Sequence, residues 1–118
     1  MSRRLQRLNT LLRQELADLI RSELRDPRLA DIVSITRVDI SPDLKNANIY
    51  ASVLGDEEAK AATMKALTAA ASFLRHHLTE RISIRRTPVL HFVLDETIEE
   101  AAHILELMKH IPEPKQEP

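Results

Sequence analysis

Seven large aliphatic residues, Leu5, Leu8, Leu12, Leu16, Leu19, Ile20 and Leu24, recur at three- and four-residue steps near the start of the chain. On a helix that spacing gathers them into one stripe, so residues 3–25 must lay an apolar face against something, while arginines and acids occupy the other side. Asp26-Pro27 ends the helix, because proline disfavours helical backbone in the residue before it and has no amide to donate.

After this break the pattern changes period. Residues 33–40 are rich in β-branched side chains and read as a strand. Ser41-Pro42-Asp43 then supplies a turn, with proline presetting the backbone and polar neighbours bonding locally. Ala47, Ile49, Ala51 and Val53 alternate with Asn48, Tyr50 and Ser52, which is the signature of a strand with one face buried and one wet. The only glycine, Gly55, precedes Asp56-Glu57-Glu58, a cap followed by acids suited to a helix start. A long helical region follows to about Arg81, with its stripe on Ala59, Ala62, Ala66, Leu67, Ala70, Leu74 and Leu78. Thr87-Pro88 punctuates the chain, and residues 89–94 read as a short, largely buried strand closed by Asp95. Thr97 and Glu100 have capping-box spacing, and Ile98, Ala102, Leu105 and Met108 stripe a last helix that runs to about Ile111. Residues 112–118 carry too little apolar surface to offset ordering entropy and are expected to form a disordered tail. The implied fold is an α+β sandwich of one domain over residues 1–111, with a three-stranded sheet covered on one face by helices.

Several functions are disfavoured by what is missing. No cysteine is present, so disulfides and thiolate metal sites are excluded, and a reducing cytosol suits the composition. No apolar run approaches the ~20 residues of a spanning helix, so membrane insertion and secretion are not expected. His76, His77 and His91 make a poor metal set, since neighbours on a helix point about 100° apart and no carboxylate completes the shell. The acids Asp95, Glu96, Glu99 and Glu100 are accounted for by a helix start, and neither a nucleophile elbow nor a Gly-rich phosphate loop exists. No enzyme, metal or cofactor is expected.

Charge is more informative than its sum. The formal net charge is −1, yet residues 60–92 hold Lys60, Lys65, Arg75, Arg81, Arg85 and Arg86 against Glu80 alone, a net of +5. From residue 93 onward seven acids face Lys109 and Lys115, a net of −5. Arg75, Arg81, Arg85 and Arg86, joined by Arg3, Arg4 and Arg7, suit phosphate contacts because a guanidinium offers charge and paired donors. A solvated face explains the same residues about as well. With Tyr50, Phe73 and Phe92 as the only aromatics, backbone and shape recognition fits better than base stacking. Replacing the four later arginines with glutamine is expected to weaken binding to the phosphate-bearing partner and flatten its salt dependence, with little change in thermal stability.

Particular segments carry a family resemblance. Asp26-Pro27-Arg28-Leu29 closes the first helix; residues 38–44 lead to Ala47-Asn48-Ile49-Tyr50-Ala51-Ser52; Phe73-Leu74-Arg75 leads to Arg81-Ile82-Ser83-Ile84-Arg85; then come Arg86-Thr87-Pro88 and Asp95-Glu96-Thr97-Ile98. In order and spacing, over roughly residues 3–108, the chain resembles bacterial ribosome-binding factor A. The resemblance implies a type II KH-like domain whose two central helices meet at an Ala-x-Gly kink, matched here by Ala70, Ala71 and Ser72. Serine stands where the family has glycine, which implies a milder kink, and Ala101 replaces a second family glycine. The resemblance further implies a cytoplasmic assembly factor, monomeric when free, that binds the small ribosomal subunit and its rRNA. Such factors support late maturation and end processing, often in the cold. From the distribution of basic residues, the expected RNA-binding set is Arg3, Arg4, Arg7, Lys65, Arg75, His76, Arg81, Arg85 and Arg86. A rival reading makes the chain a helical module that dimerises through the leucine stripe of residues 5–24 without touching RNA.

Overall fold

The computed structural model describes residues 3–110, apart from the side chains of Ile98 and Glu99; the tail expected at residues 112–118 lies outside them. The elements are α1 (Arg3–Ser22), β1 (Val33–Ile40), β2 (Asn46–Val53), α2 (Glu57–Ala69), α3 (Ala71–Arg81), β3 (Val89–Leu94) and α4 (Thr97–Lys109). They build the expected α+β arrangement around one sheet ordered β1-β2-β3. β1 and β2 pair antiparallel from Ile40↔Ala47 to Val33↔Val53, with a bulge between Ile35 and Arg37. β3 lies parallel to β2, Asn46 opposite Val89 and Ala51 opposite Leu94. A parallel pair needs a crossover, and α2 with α3 supplies it.

The leucine stripe is the floor of the core. Leu12, Leu16 and Leu19 are 0% exposed and pack with Ile35, Val38 and Ile40 of β1, Ile49 of β2 and Leu74 and Leu78 of α3. Dimerisation through this stripe is thereby overturned, because its central leucines are already inside one copy. Regular helix stops at Ser22, three residues short of the expected end. Asp26 then organises the turn, its carboxylate accepting from the Arg28 amide at 2.9 Å and from Arg28 Nη2 at 2.7 Å. These bonds hold the pKa of the Asp26 carboxyl down at about 2.

At the start of α2 the Asp56 side chain accepts from the Ala59 amide at 2.8 Å, the cap the sequence implies. Gly55 has φ of +154°, and a Cβ there would stand 2.9 Å from the Ala59 Cβ, so a side chain is excluded twice over. Thr63 is fully buried, its hydroxyl accepting from the Ala30 amide at 2.9 Å and donating to the Arg28 carbonyl at 3.3 Å. The two central helices do break, at Ala70, whose φ of −89° and ψ of 0° interrupt the helical run. Its amide still reaches the carbonyls of Ala66 at 3.0 Å and Leu67 at 3.2 Å.

Three expectations need correction. β3 is half exposed rather than largely buried: Leu90 faces the core while Val89 and Val93 are 44% and 38% exposed, because an edge strand of a sheet covered on one side buries alternate residues. Lys60 is not part of a solvated basic face. It is 5% exposed, with Nζ 3.5 Å from Glu57 and 3.4 Å from Glu96. The capping box of Thr97 and Glu100 does not form: Thr97 is the first helical residue, Glu96 holds the N-cap position without a side-chain cap bond, and the Thr97 amide donates to Asp95 Oδ1 at 2.9 Å. Among the described residues no helix is long and apolar enough to cross a membrane.

Candidate nucleic-acid interface

The connection of residues 82–88 carries Arg85 and Arg86, and its own packing decides how they are presented. Ile82 is buried and its amide bonds to the Leu78 carbonyl at 2.9 Å, while Ile84 packs against the core. On the other side Thr87 and Pro88 are buried. The Thr87 carbonyl accepts from Arg75 Nε at 2.9 Å and Nη2 at 2.8 Å, and its hydroxyl lies 2.8 Å from that of Thr79. Pinned before and after, the loop leaves Arg85 and Arg86 exposed, with no hydrogen bond or ion pair to any described residue.

Arg75 and Arg81, expected beside them as phosphate contacts, are engaged within the fold. Arg75 clasps Thr87. Arg81 joins α3 to α1, with Nη1 2.6 Å from Asp18 Oδ2 and 3.3 Å from Glu15 Oε2. The Asp18 carboxylate raises the Arg81 pKa above its ordinary value, and the same hydrogen bond lowers that of Asp18. The expectation that all four arginines are free surface charges is therefore corrected for these two, since sequence position does not reveal a carbonyl or carboxylate brought near by folding. Lys65 is exposed on α2, and His76 is exposed on α3, 3.4 Å from Glu80. No hydrogen bond or ion pair ties either to the arginine loop.

Folding does bring the two ends of the basic set to one end of the sheet. The Val89 amide donates to the Lys45 carbonyl at 2.9 Å, so the arginine loop runs into β3 beside the turn between β1 and β2. The start of α1 reaches the same turn: Asn9 Oδ1 accepts from the Ile40 amide at 2.9 Å. Arg4, Leu5 and Leu8 line a hollow of about 610 Å³ with Asp39, Ile40, Pro42 and Leu44. Arg3, Arg4 and Arg7 are exposed here, and so is Lys45, a cation that sequence reasoning missed. Its signal was its place in the turn, readable only once that turn is known to abut the third strand.

The turn is rigid for its size. Ser41 donates from its amide to the Asn46 carbonyl at 2.8 Å and from Oγ to Asp43 Oδ1 at 2.6 Å. Asp43 also accepts from the Lys45 amide at 3.0 Å, and the Ser41 bond foremost holds its pKa down. Leu44 takes a φ of 62° while its side chain packs on the core, so apolar contact outweighs a backbone conformation unfavourable for leucine. The acid of the turn, Asp43, is thus engaged by the turn itself.

The helix break lies at Ala70, and Ser72 is exposed in the first turn of α3. Ala70, Ala71 and Ser72 form a helix-break-helix without any positive φ, so glycine is not needed for it. Among the described residues no group of three His, Cys, Asp or Glu side chains could hold a metal ion.

Comparison with known proteins places these features in context. A protein-family model described as Ribosome-binding factor A matches residues 4–108. Ribosome-binding factor A of Acetivibrio thermocellus is 42% identical over 105 residues, covering 89% of this chain and 85% of the relative. The crystal structure of ribosome-binding factor A from Thermus thermophilus superposes with a TM-score of 0.68 at 30% identity, covering 76% of this chain and 93% of that one. A homology model of T. thermophilus ribosome-binding factor A, fitted into the cryo-EM map of a 30S–RbfA complex, gives a TM-score of 0.63 at 30% identity, covering 75% and 92%.

Proposed function

Because the chain belongs to the ribosome-binding factor A family, we propose that it binds the small ribosomal subunit through its rRNA and steadies that RNA during late maturation. The family is non-enzymatic, so any cleavage of precursor ends falls to separate nucleases. The observation that carries the reading is the pinned loop, which leaves Arg85 and Arg86 exposed and without internal partners before it enters β3 alongside the turn that holds Lys45. Guanidinium groups without internal partners are free to exchange water and counterions for phosphate oxygens. The 30S complex of the T. thermophilus relative supports the choice of particle.

Within this reading the basic residues divide by role. Arg3, Arg4, Arg7, Lys45, Arg85 and Arg86 contact phosphate, and Lys65 and His76 extend the surface along α2 and α3. Arg75 and Arg81 are positioning residues that hold the arginine loop and α3 in place. A rigid cationic end of this kind clamps one conformation of a flexible RNA. The protein works in the cytoplasm, as a monomer when free.

The test is a deletion strain grown in the cold. Accumulated precursor small-subunit rRNA, reversed by the wild-type gene and not by an Arg85→Gln/Arg86→Gln version, is the expected outcome. Normal subunit profiles in the deletion strain would remove the assembly role.

A further inference from the structure

α4 is anchored at its root, and from Glu100 to His110 no described element covers it. The Asp95 amide donates to the Ala51 carbonyl at 2.8 Å, and Asp95 Oδ2 accepts from the Thr36 hydroxyl at 2.6 Å. Asp95 Oδ1 accepts from the Thr97 amide, and Glu96 meets the buried Lys60. Beyond this clamp every residue from Glu100 to His110 is exposed. Ile104, Leu105, Leu107 and Met108 are 56%, 60%, 51% and 60% exposed. Helical spacing puts Ala101, Ile104, Leu105 and Met108 in one stripe. A helix of 13 residues is marginal in water without a packed face, and four large apolar side chains along one helix form a contiguous patch of the kind that marks an interaction surface.

Position and charge select the occupant. β3 runs from the cationic end, at Val89, to the opposite end of the sheet, at Leu94, so α4 leaves the body at the far end from Arg85 and Arg86. The helix carries Glu99, Glu100 and Glu106 against Lys109. That balance repels phosphate and favours a basic partner. We propose that α4 docks its Ile104, Leu105 and Met108 stripe into an apolar groove, rimmed by lysine or arginine, on a protein of the same ribosomal particle whose RNA the opposite end grips. The placement on that particle rests on the function proposed above; the chemistry of the groove follows from the helix itself. The molecule is then a two-ended bridge, with RNA at the cationic end and protein at the acidic helix.

The experiment compares the full chain with a Leu105→Glu/Met108→Glu variant against two probes, intact small subunits and protein-free small-subunit rRNA. The variant should keep the wild-type melting temperature. It should bind intact subunits more weakly by about tenfold or more, the scale of one leucine side chain left unburied, and bind free rRNA as the wild type does. A photo-crosslinker at Leu107 should give an adduct with a ribosomal protein. An equal loss on free rRNA, or adducts to RNA alone, would make α4 an RNA contact and overturn the proposal. So would unchanged binding to intact subunits, adducts to a second copy, or a lowered melting temperature showing that the stripe packs on its own body. If wild-type protein binds neither probe, the proposed function fails with it; if wild-type binds both and the variant matches it, the helix proposal fails alone.

Discussion

Arg75 directs Nε and Nη2 at a single carbonyl, that of Thr87, and in doing so fixes the loop that presents Arg85 and Arg86. Hydrogen bonds from a charged donor contribute more than neutral ones, so Arg75→Gln is expected to cost about 1–2 kcal/mol in urea unfolding. Arg85→Gln, with no internal partner, should stay within about 0.5 kcal/mol of wild type. In the sequence the two arginines look alike, because nothing local to either reveals a buried carbonyl twelve residues away. Asp95 offers a second test at this scale. The Thr36 hydroxyl, then the Thr97 hydroxyl and amide, hold the pKa of its carboxyl at about 2, against an ordinary 3.8. A carboxylate with a depressed folded pKa contributes stability that is present above the unfolded value. That contribution should therefore be lost as pH falls from about 3.8 towards about 2. Asp95→Asn should lower the urea midpoint at neutral pH and flatten its decline across this window; an unaltered acid limb would show that the clamp at α4 contributes nothing.

Among the elements, α1, β1 and β2 follow the periodicity closely, since a leucine stripe and an alternating strand each permit one placement of the core. β3 was harder to read because a run of apolar residues broken only by His91 does not say whether a strand lies at an edge or in the centre. The expected capping box does not form because Asp95, two residues before Thr97, takes the Thr97 amide that Glu100 would have accepted. The break between α2 and α3 was invisible to periodicity, because Ala70 keeps its amide bonds to the preceding turn while changing direction. Since no residue there needs a positive φ, Ser72→Gly should leave both helices in place and cost about 0.5 kcal/mol or less, the difference in helix propensity. Thermal unfolding followed by circular dichroism measures it, and a loss of helix content would show that serine itself shapes the break.

For the whole molecule, a net charge of −1 hides a body with a cationic end and an acidic, apolar helix leaving the other. The charge asymmetry was legible along the chain, but its geometry was not. Lys60 is buried, Arg75 is engaged with the Thr87 carbonyl and Arg81 with the acids of α1, while Lys45 joins from a turn and the start of α1 comes to the same end by packing on β1. Lys45, Arg85 and Arg86 stay exposed there and are the residues proposed to meet RNA. The most direct test of that cationic end is the dependence of small-subunit binding on salt, measured for wild type and for Arg85→Gln/Arg86→Gln. Removing one phosphate-binding arginine should reduce the slope of log K against log salt by about 0.7–0.9, so the double variant should bind more weakly with a slope smaller by about 1.5 and an unchanged melting temperature. A double variant that keeps the wild-type affinity and slope would contradict the assignment of this end as the RNA grip.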